Sequence, residues 1–359
     1  MSRLVIFIPS IENGGVEKNL YLLLEYFSKK FKKINLVTTS STLKNSRFKK
    51  NIKLIRPKLS TWNKKSRIYQ YLICFYLLLK FFRNKKITIL SFQANVFVII
   101  ASFFLNSKVI IRLNTSIDKY INNIFQKLFY KFFYSLADII IVNSLSFKKI
   151  LQNQLNLRSI CIYNPIKLNT SKKKKINFFS KFKYLKILTI GRLTDQKDHM
   201  TLLKCGVLLK ENNIHFKIYI IGQGYKYNEL QEFIKTKKLT KYIKLAGYKP
   251  FASSYISSAD LFVLTSKYEG LPNVLIESQK LKKPIISSNC NTGPKEILGN
   301  GKYGDLFKVG DYKDLFKKIK SFHNNKKILM KKSLLATKYL NRFNYEKNCF
   351  KYYSLIKKL

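Results

Sequence analysis

Short apolar runs alternate with longer amphipathic ones along the first half of the chain. Leu4–Pro9, Lys33–Thr38, Ile87–Phe92, Lys108–Leu113 and Asp138–Asn143 read as strands. Between them, Glu17–Phe27, Ile68–Phe82, Ala94–Leu105 and Ile121–Leu136 have the length and spacing of helices. The alternation predicts a parallel, doubly wound α/β sheet. A lysine-rich, structure-poor stretch, Thr170–Lys183, interrupts it. The pattern then restarts with strands at Lys186–Ile190, Phe216–Ile221, Ile243–Leu245, Leu261–Leu264 and Pro284–Ser287. Helices are expected at Met200–Glu211, Tyr227–Leu239 and Asn273–Leu281, and a mostly helical, basic tail over Asp311–Leu359. The chain therefore divides into a domain over 1–165, a linker over 166–183, a second domain over 184–335 and a C-terminal helix over 336–359.

At 359 residues and 46% hydrophobic content the chain can fill two cores. Its charge changes the picture: 69 Lys and Arg against 18 Asp and Glu give a formal net +51. Lys, Asn, Ile, Phe and Tyr are abundant, and Ala, Gly and Pro scarce, so most of the lysine excess is assigned to AT-rich coding. Whatever its origin, the charge draws the protein towards an anionic membrane surface at low salt. A nucleic-acid-binding protein is an alternative carried by charge alone, without zinc spacing or RNP-like aromatics, and no nucleic-acid partner is expected.

The five cysteines form no C-x-x-C pair and the three histidines are scattered. No zinc site or disulfide framework is expected, and a reducing, cytosolic location fits. The apolar run Leu4–Ile8 is too short for a signal-peptide core. The uncharged run 87–105 approaches spanning length but reads as strand, turn and helix. An interfacial role is plausible for the Ile68–Phe82 face, flanked by Lys64, Lys65 and Arg67.

The most informative segment is Tyr268-Glu269-Gly270-Leu271-Pro272-Asn273-Val274-Leu275-Ile276-Glu277. It follows an apolar strand, so Glu269 sits at the strand's C-terminal end, where open α/β sheets bind ligands. Pro272 suits the first helical position, and Glu277 lies just over one turn into that helix. The helix N-terminus offers N–H groups to an anion. Gly191-Arg192-Leu193-Thr194-Asp195-Gln196-Lys197 follows another strand. A guanidinium and an ammonium there can grip phosphate.

The spacing of Glu269 and Glu277 resembles the E-x7-E signature of retaining glycosyltransferases of family 4, the glycosyltransferase group 1 family with the GT-B fold. The loop Gly191–Lys197 resembles that family's G-R-L-x-x-x-K. The resemblance is clearest over 184–310 and weaker over 1–165. It implies two Rossmann-like doubly wound domains facing each other across a cleft, with the last helix crossing back onto the first domain. It also implies a metal-independent hexosyltransferase that uses no cofactor, with Arg192, Lys197 and Glu269 as catalytic residues. Arg192 and Lys197 would bind the diphosphate of a nucleotide sugar, Glu269 the donor sugar and Glu277 the ribose. Backbone N–H groups near Gly270 and Leu271 would face the diphosphate. Gly222 and Gly224 in Ile221-Gly222-Gln223-Gly224 resemble the turn lining the nucleotide pocket, and Tyr248 would stack on the base. In Asn13-Gly14-Gly15, Gly14 and Gly15 would approach donor phosphate and acceptor from the first domain. Arg112 and Asn114 would lie on the acceptor side, where many members place a histidine this chain lacks. Asp118 is a further loop contact or a cap.

The activity implied is transfer from a UDP-sugar to a glycan or polyprenyl-diphosphate-linked acceptor, at the inner face of the cell membrane, in capsule, lipopolysaccharide or glycoprotein glycan assembly. A sugar-nucleotide epimerase or a phosphorylase of the same fold is the alternative.

Overall fold

Strands that are apolar on both faces need cover on both sides, and the chain supplies it with helices. The computed structural model describes residues 3–11, 14–41, 50–115, 117, 121, 123–167, 184–250 and 252–359. The chain forms two compact units, Met1–Lys167 with Phe343–Leu359, and Leu168–Arg342. The predicted linker lies almost wholly outside the described residues, as do Asn13 and Asp118.

The first unit runs β1 (Arg3–Phe7), α1 (Gly15–Phe27), β2 (Ile34–Val37), β3 (Ile52–Ile55), α2 (Arg67–Phe82), β4 (Ile87–Ser91), α3 (Asn95–Leu105), β5 (Lys108–Leu113), α4 (Ile124–Ser135), β6 (Ile139–Val142), α5 (Leu145–Leu155) and β7 (Ile160–Cys161). Its parallel sheet has the order β3-β2-β1-β4-β5-β6-β7. Register is set by pairs such as Phe7 with Ser91 and Phe7 with Val37. Successive side chains of β1 part to opposite faces. Val5 and Phe7 enter a core with α2, α3 and α5. Leu4, Ile6 and Ile8 enter the other, which α1 closes together with Tyr345, Cys349 and Tyr352. Full burial of one such side chain contributes about 2–3 kcal/mol.

The second unit runs β8 (Leu185–Ile190), α6 (His199–Glu211), β9 (Phe216–Ile221), α7 (Tyr227–Thr236), β10 (Ile243–Leu245), α8 (Ala252–Ser258), β11 (Leu261–Leu264), α9 (Asn273–Lys280), β12 (Ile285–Ser288), α10 (Pro294–Ile297), β13 (Asp305–Phe307), α11 (Tyr312–Asn324) and α12 (Lys326–Ala336). Its sheet, also parallel, has the order β10-β9-β8-β11-β12-β13. The last helix, α13 (Tyr345–Lys358), belongs to the first unit. Each unit is Rossmann-like. Strand order reverses direction beside β1 in one sheet and beside β8 in the other, which places a ligand-binding switch point at each.

Local departures from the sequence reading have local causes. The helix expected from Ile121 starts at Ile124, because Asn123 caps it by accepting from the Gln126 N–H at 2.8 Å. Pro272 stands one residue before α9 rather than inside it, with ψ of 111° at the cap position. The short edge strands β3, β7 and β13 and the helices α5, α8 and α10 were not anticipated. Among the described residues no helix is long and apolar enough to cross a membrane.

Candidate active site

The second unit gathers most of the predicted residues where β8 and β11 end side by side. Beyond β8 the chain turns through Gly191–Lys197; beyond β11 it turns through Thr265–Pro272. The two loops are sewn together. Lys267 N–H donates to the Gln196 carbonyl at 2.8 Å, Gln196 Nε2 to the Tyr268 carbonyl at 3.1 Å, and Thr265 Oγ1 to the Lys197 carbonyl at 2.9 Å.

Across this seam Lys197 Nζ forms an ion pair with Glu269 Oε1. The carboxylate is nearly buried, and Ser266 Oγ donates to the same oxygen at 2.7 Å. A buried carboxylate is costly unless it is paired, and Lys197 supplies the pairing charge. The Glu269 backbone carbonyl in turn accepts from Thr292 Oγ1. Glu277 is buried in the second turn of α9. Gly270 and Leu271 lie just before that helix, held against Gly293, whose φ of +65° and missing Cβ permit the Gly270 carbonyl to approach.

Arg192 lies exposed at the start of its loop. The turns around it leave no room for side chains on the neighbouring glycines. A Cβ on Gly222 would strike the Gly191 carbonyl, and one on Gly224 the Leu193 backbone. These loops are also bonded, Gly191 N–H to Ile221 O at 3.0 Å and Leu193 N–H to Gln223 O at 2.9 Å. Tyr248 follows β10 and Gly247 and points its ring into the open, 55% exposed. Tyr225 donates to Asp195 Oδ2 at 2.6 Å and Lys226 pairs with the same carboxylate, which holds Asp195 below the usual carboxylate range.

His199 was not singled out in sequence. It opens α6 under the Gly191–Lys197 loop and is buried. Burial first, and then the charge of Lys197, push its pKa down to about 4, so the ring is neutral at pH 7. Neither ring nitrogen makes a hydrogen bond among the described residues, although the Gly191 and Arg192 carbonyls lie close enough to oppose the shift.

In the first unit Gly14 and Gly15 form the entry to α1. The Gly14 N–H is taken by Glu17 Oε2 at 2.9 Å, so this glutamate caps its own helix. Beside it, Gln93 Oε1 accepts from the Ser10 N–H at 3.1 Å, tying the loops after β1 and β4. Arg112 is 1% exposed. Its Nε donates to Tyr352 at 2.8 Å, one terminal nitrogen to Asn164 Oδ1 at 2.7 Å and the other to Asn114 Oδ1. The guanidinium also lies over the Phe92 ring, 5.2 Å from its centre. Asn114 donates to the Phe92 carbonyl at 2.7 Å. Sequence reasoning put Arg112 at the acceptor side; the structure puts its side chain inside the domain, bonding neutral groups.

Residues 170–339 match the family described as glycosyl transferases group 1. Over 346 residues the chain is 29% identical to the N-acetylgalactosamine-N,N'-diacetylbacillosaminyl-diphospho-undecaprenol 4-alpha-N-acetylgalactosaminyltransferase of Campylobacter jejuni, covering 91% of this chain and 92% of that protein. It is 34% identical over 198 residues to an uncharacterized glycosyltransferase of Methanocaldococcus jannaschii, a match that spans 52% of this chain and only 48% of the relative. The solved structure of HepE from Anabaena, in complex with UDP and glucose, superposes with a TM-score of 0.81 at 15% identity over 100% of both chains, so the two share the GT-B fold.

Proposed function

We propose that this chain, whose residues 170–339 match the group 1 family of glycosyl transferases, is a retaining, metal-independent family 4 enzyme that moves a hexose or N-acetylhexosamine from a UDP-sugar to a polyprenyl-diphosphate-linked or cell-surface glycan. The observation that carries the reading is the Lys197–Glu269 ion pair at the switch point beside β8, with Arg192 on the same loop and Glu277 in the adjoining helix.

Arg192 and Lys197 take the donor diphosphate. As the bond from the sugar's anomeric carbon to the β-phosphate oxygen breaks, negative charge grows on that phosphate, and two fixed cations stabilise it without a metal ion. The acceptor hydroxyl bonds to the anomeric carbon on the face the phosphate leaves, and its proton passes to the departing phosphate oxygen. Glu269 accepts hydrogen bonds from the donor sugar and Glu277 from the ribose. Gly270 and Leu271 offer backbone N–H groups to the diphosphate, and Gly222 and Gly224 let backbone approach the nucleotide. Tyr248 stacks on the base. Gly14, Gly15 and Asn114 serve the acceptor, with Arg112 holding Asn114 in place. The acceptor class is supported by the Campylobacter relative, whose name gives it a diphospho-undecaprenol substrate. A cytoplasmic protein working at an anionic membrane surface fits that acceptor and the charge of +51.

The test is thermal stabilisation by UDP, GDP, ADP and CMP, each with and without chelator. UDP raises the melting temperature with chelator present, and Arg192→Ala or Glu277→Ala abolishes the rise. Lys197→Met loses it as well and melts lower, because Glu269 is left without its cation; Lys197→Arg keeps the fold. Absence of any nucleotide effect in well-folded protein would remove the donor site. Isomerised donor without transferred sugar would favour an epimerase.

A further inference from the structure

The first unit carries an inverted helix. On α4, Ile124, Phe125, Leu128, Phe129 and Phe132 all face out, with Phe125 79% and Phe132 61% exposed, while Tyr134 is its only buried residue. At 100° per residue these positions fall on one arc, and Lys127 and Lys131 stand at its edge. The neighbouring α3 adds Phe103 and Phe104, exposed at 64% and 71%. α3 packs against both α4 and α2, and Phe97 lies against Tyr71 and Phe75 of α2. α2 then extends the apolar surface through Leu72 and Tyr76.

A soluble face pays for exposed aromatics with nothing in return, and a contiguous patch of this kind marks a partner surface. Charge identifies the partner. From Tyr26 to Ile117 the chain holds no Asp or Glu, and none occurs in α4, while Lys64, Lys65, Arg67, Lys80 and Arg83 border α2. A second copy would bring two such cationic borders together. An anionic bilayer meets both requirements at once: acyl chains take the aromatic ridge and headgroups take the lysines.

We propose that α4, with the C-terminal end of α3 and the exposed side of α2, is the face by which the protein lies on an anionic lipid surface, with Phe125, Phe129 and Phe132 entering the headgroup–acyl boundary. The inference rests on the membrane-borne acceptor proposed above and gives it a docking site.

Co-sedimentation of the full-length protein with vesicles of phosphatidylcholine, alone or with phosphatidylglycerol, tests it. Binding to the anionic vesicles is expected, weaker at high salt. Phe125→Asn with Phe132→Asn should lower the partition roughly thirtyfold, from the loss of two half-buried aromatics. Lys127→Glu with Lys131→Glu should lower it at least tenfold on anionic vesicles and remove part of the salt dependence. Phe125, Lys131 and Phe132 are exposed and Lys127 is half-buried, so the variants keep the fold, checked by their unchanged melting temperature. The same samples are titrated with UDP. Lost vesicle binding with intact UDP stabilisation supports the docking face. Wild-type vesicle binding without a UDP effect sinks the donor site and leaves the face standing. Equal vesicle binding by wild type and variants overturns the proposal, as does a stable dimer in solution that the phenylalanine substitutions dissociate without changing vesicle binding.

Discussion

Lys197 and Glu269 each solve a problem for the other, and His199 beneath them solves none. The imidazole is held neutral because protonating it would bury a second cation beside Lys197. Its folded pKa, about 4, lies below the ordinary 6.5, so the unfolded chain binds the proton first as pH falls. Its contribution is complete above pH 6.5 and disappears as pH drops through 4, a loss of about 3 kcal/mol in all. Urea unfolding between pH 7 and 4.5 should show wild type losing about 2 kcal/mol more than His199→Phe. Parallel curves for the two proteins would mean the ring reaches solvent. This residue was invisible in sequence, where a histidine two places after a phosphate-type lysine reads as ordinary helix start. Arg112 is read from sequence as an acceptor-side residue, and nothing in Arg-x-Asn announces that Tyr352 and Asn164, distant in sequence, take up its donors.

Elements were the most readable level, and their reading shows what carries information. Long strands such as Phe216–Ile221 match the structure end for end because their apolar content far exceeds their surroundings. β3 is four residues long with Lys53 exposed, and β7 has only two residues, so neither leaves a periodic signal. The glycine turns were legible because their cause is steric and local. Gly222→Ala should therefore drive the Gly191 carbonyl away and weaken UDP binding at least tenfold, while β9 stays formed. Gly247→Ala is the matching control. Its φ of +67° is strained for alanine, yet a Cβ there meets nothing within 4 Å. Its cost is about 1 kcal/mol of stability, with the affinity kept. Isothermal titration of both variants separates the two effects, and equal affinities would mean the turn does not approach the nucleotide.

At the scale of the whole molecule, charge and connectivity matter more than any single contact. Both Rossmann-like units were legible from β/α alternation, whereas the destination of the last helix was available only through family resemblance. α13 lies on the first unit's core: Tyr345 meets Tyr26 edge-on at 6.1 Å between ring centres, Tyr353 meets Phe31 at 5.5 Å, and Tyr352 accepts from Arg112. Tyr352→Phe leaves the Arg112 Nε unsatisfied and should cost about 1–3 kcal/mol. Amide exchange should quicken in β5 and α13 and stay unchanged in β8–β11; uniform quickening would mean the two units do not unfold separately.

That arrangement also fixes an order of events during synthesis. The segment from Leu185 to Arg342 can fold as soon as it emerges from the ribosome, since it contains all of its own sheet. The earlier-made unit must wait for Tyr352, which arrives roughly 10–35 s after Lys167 at ordinary elongation rates. During that interval the α1 side of its sheet lacks the part of its cover that Tyr345, Cys349, Tyr352 and Ile356 supply, so the first half of the polypeptide made is the last to be finished.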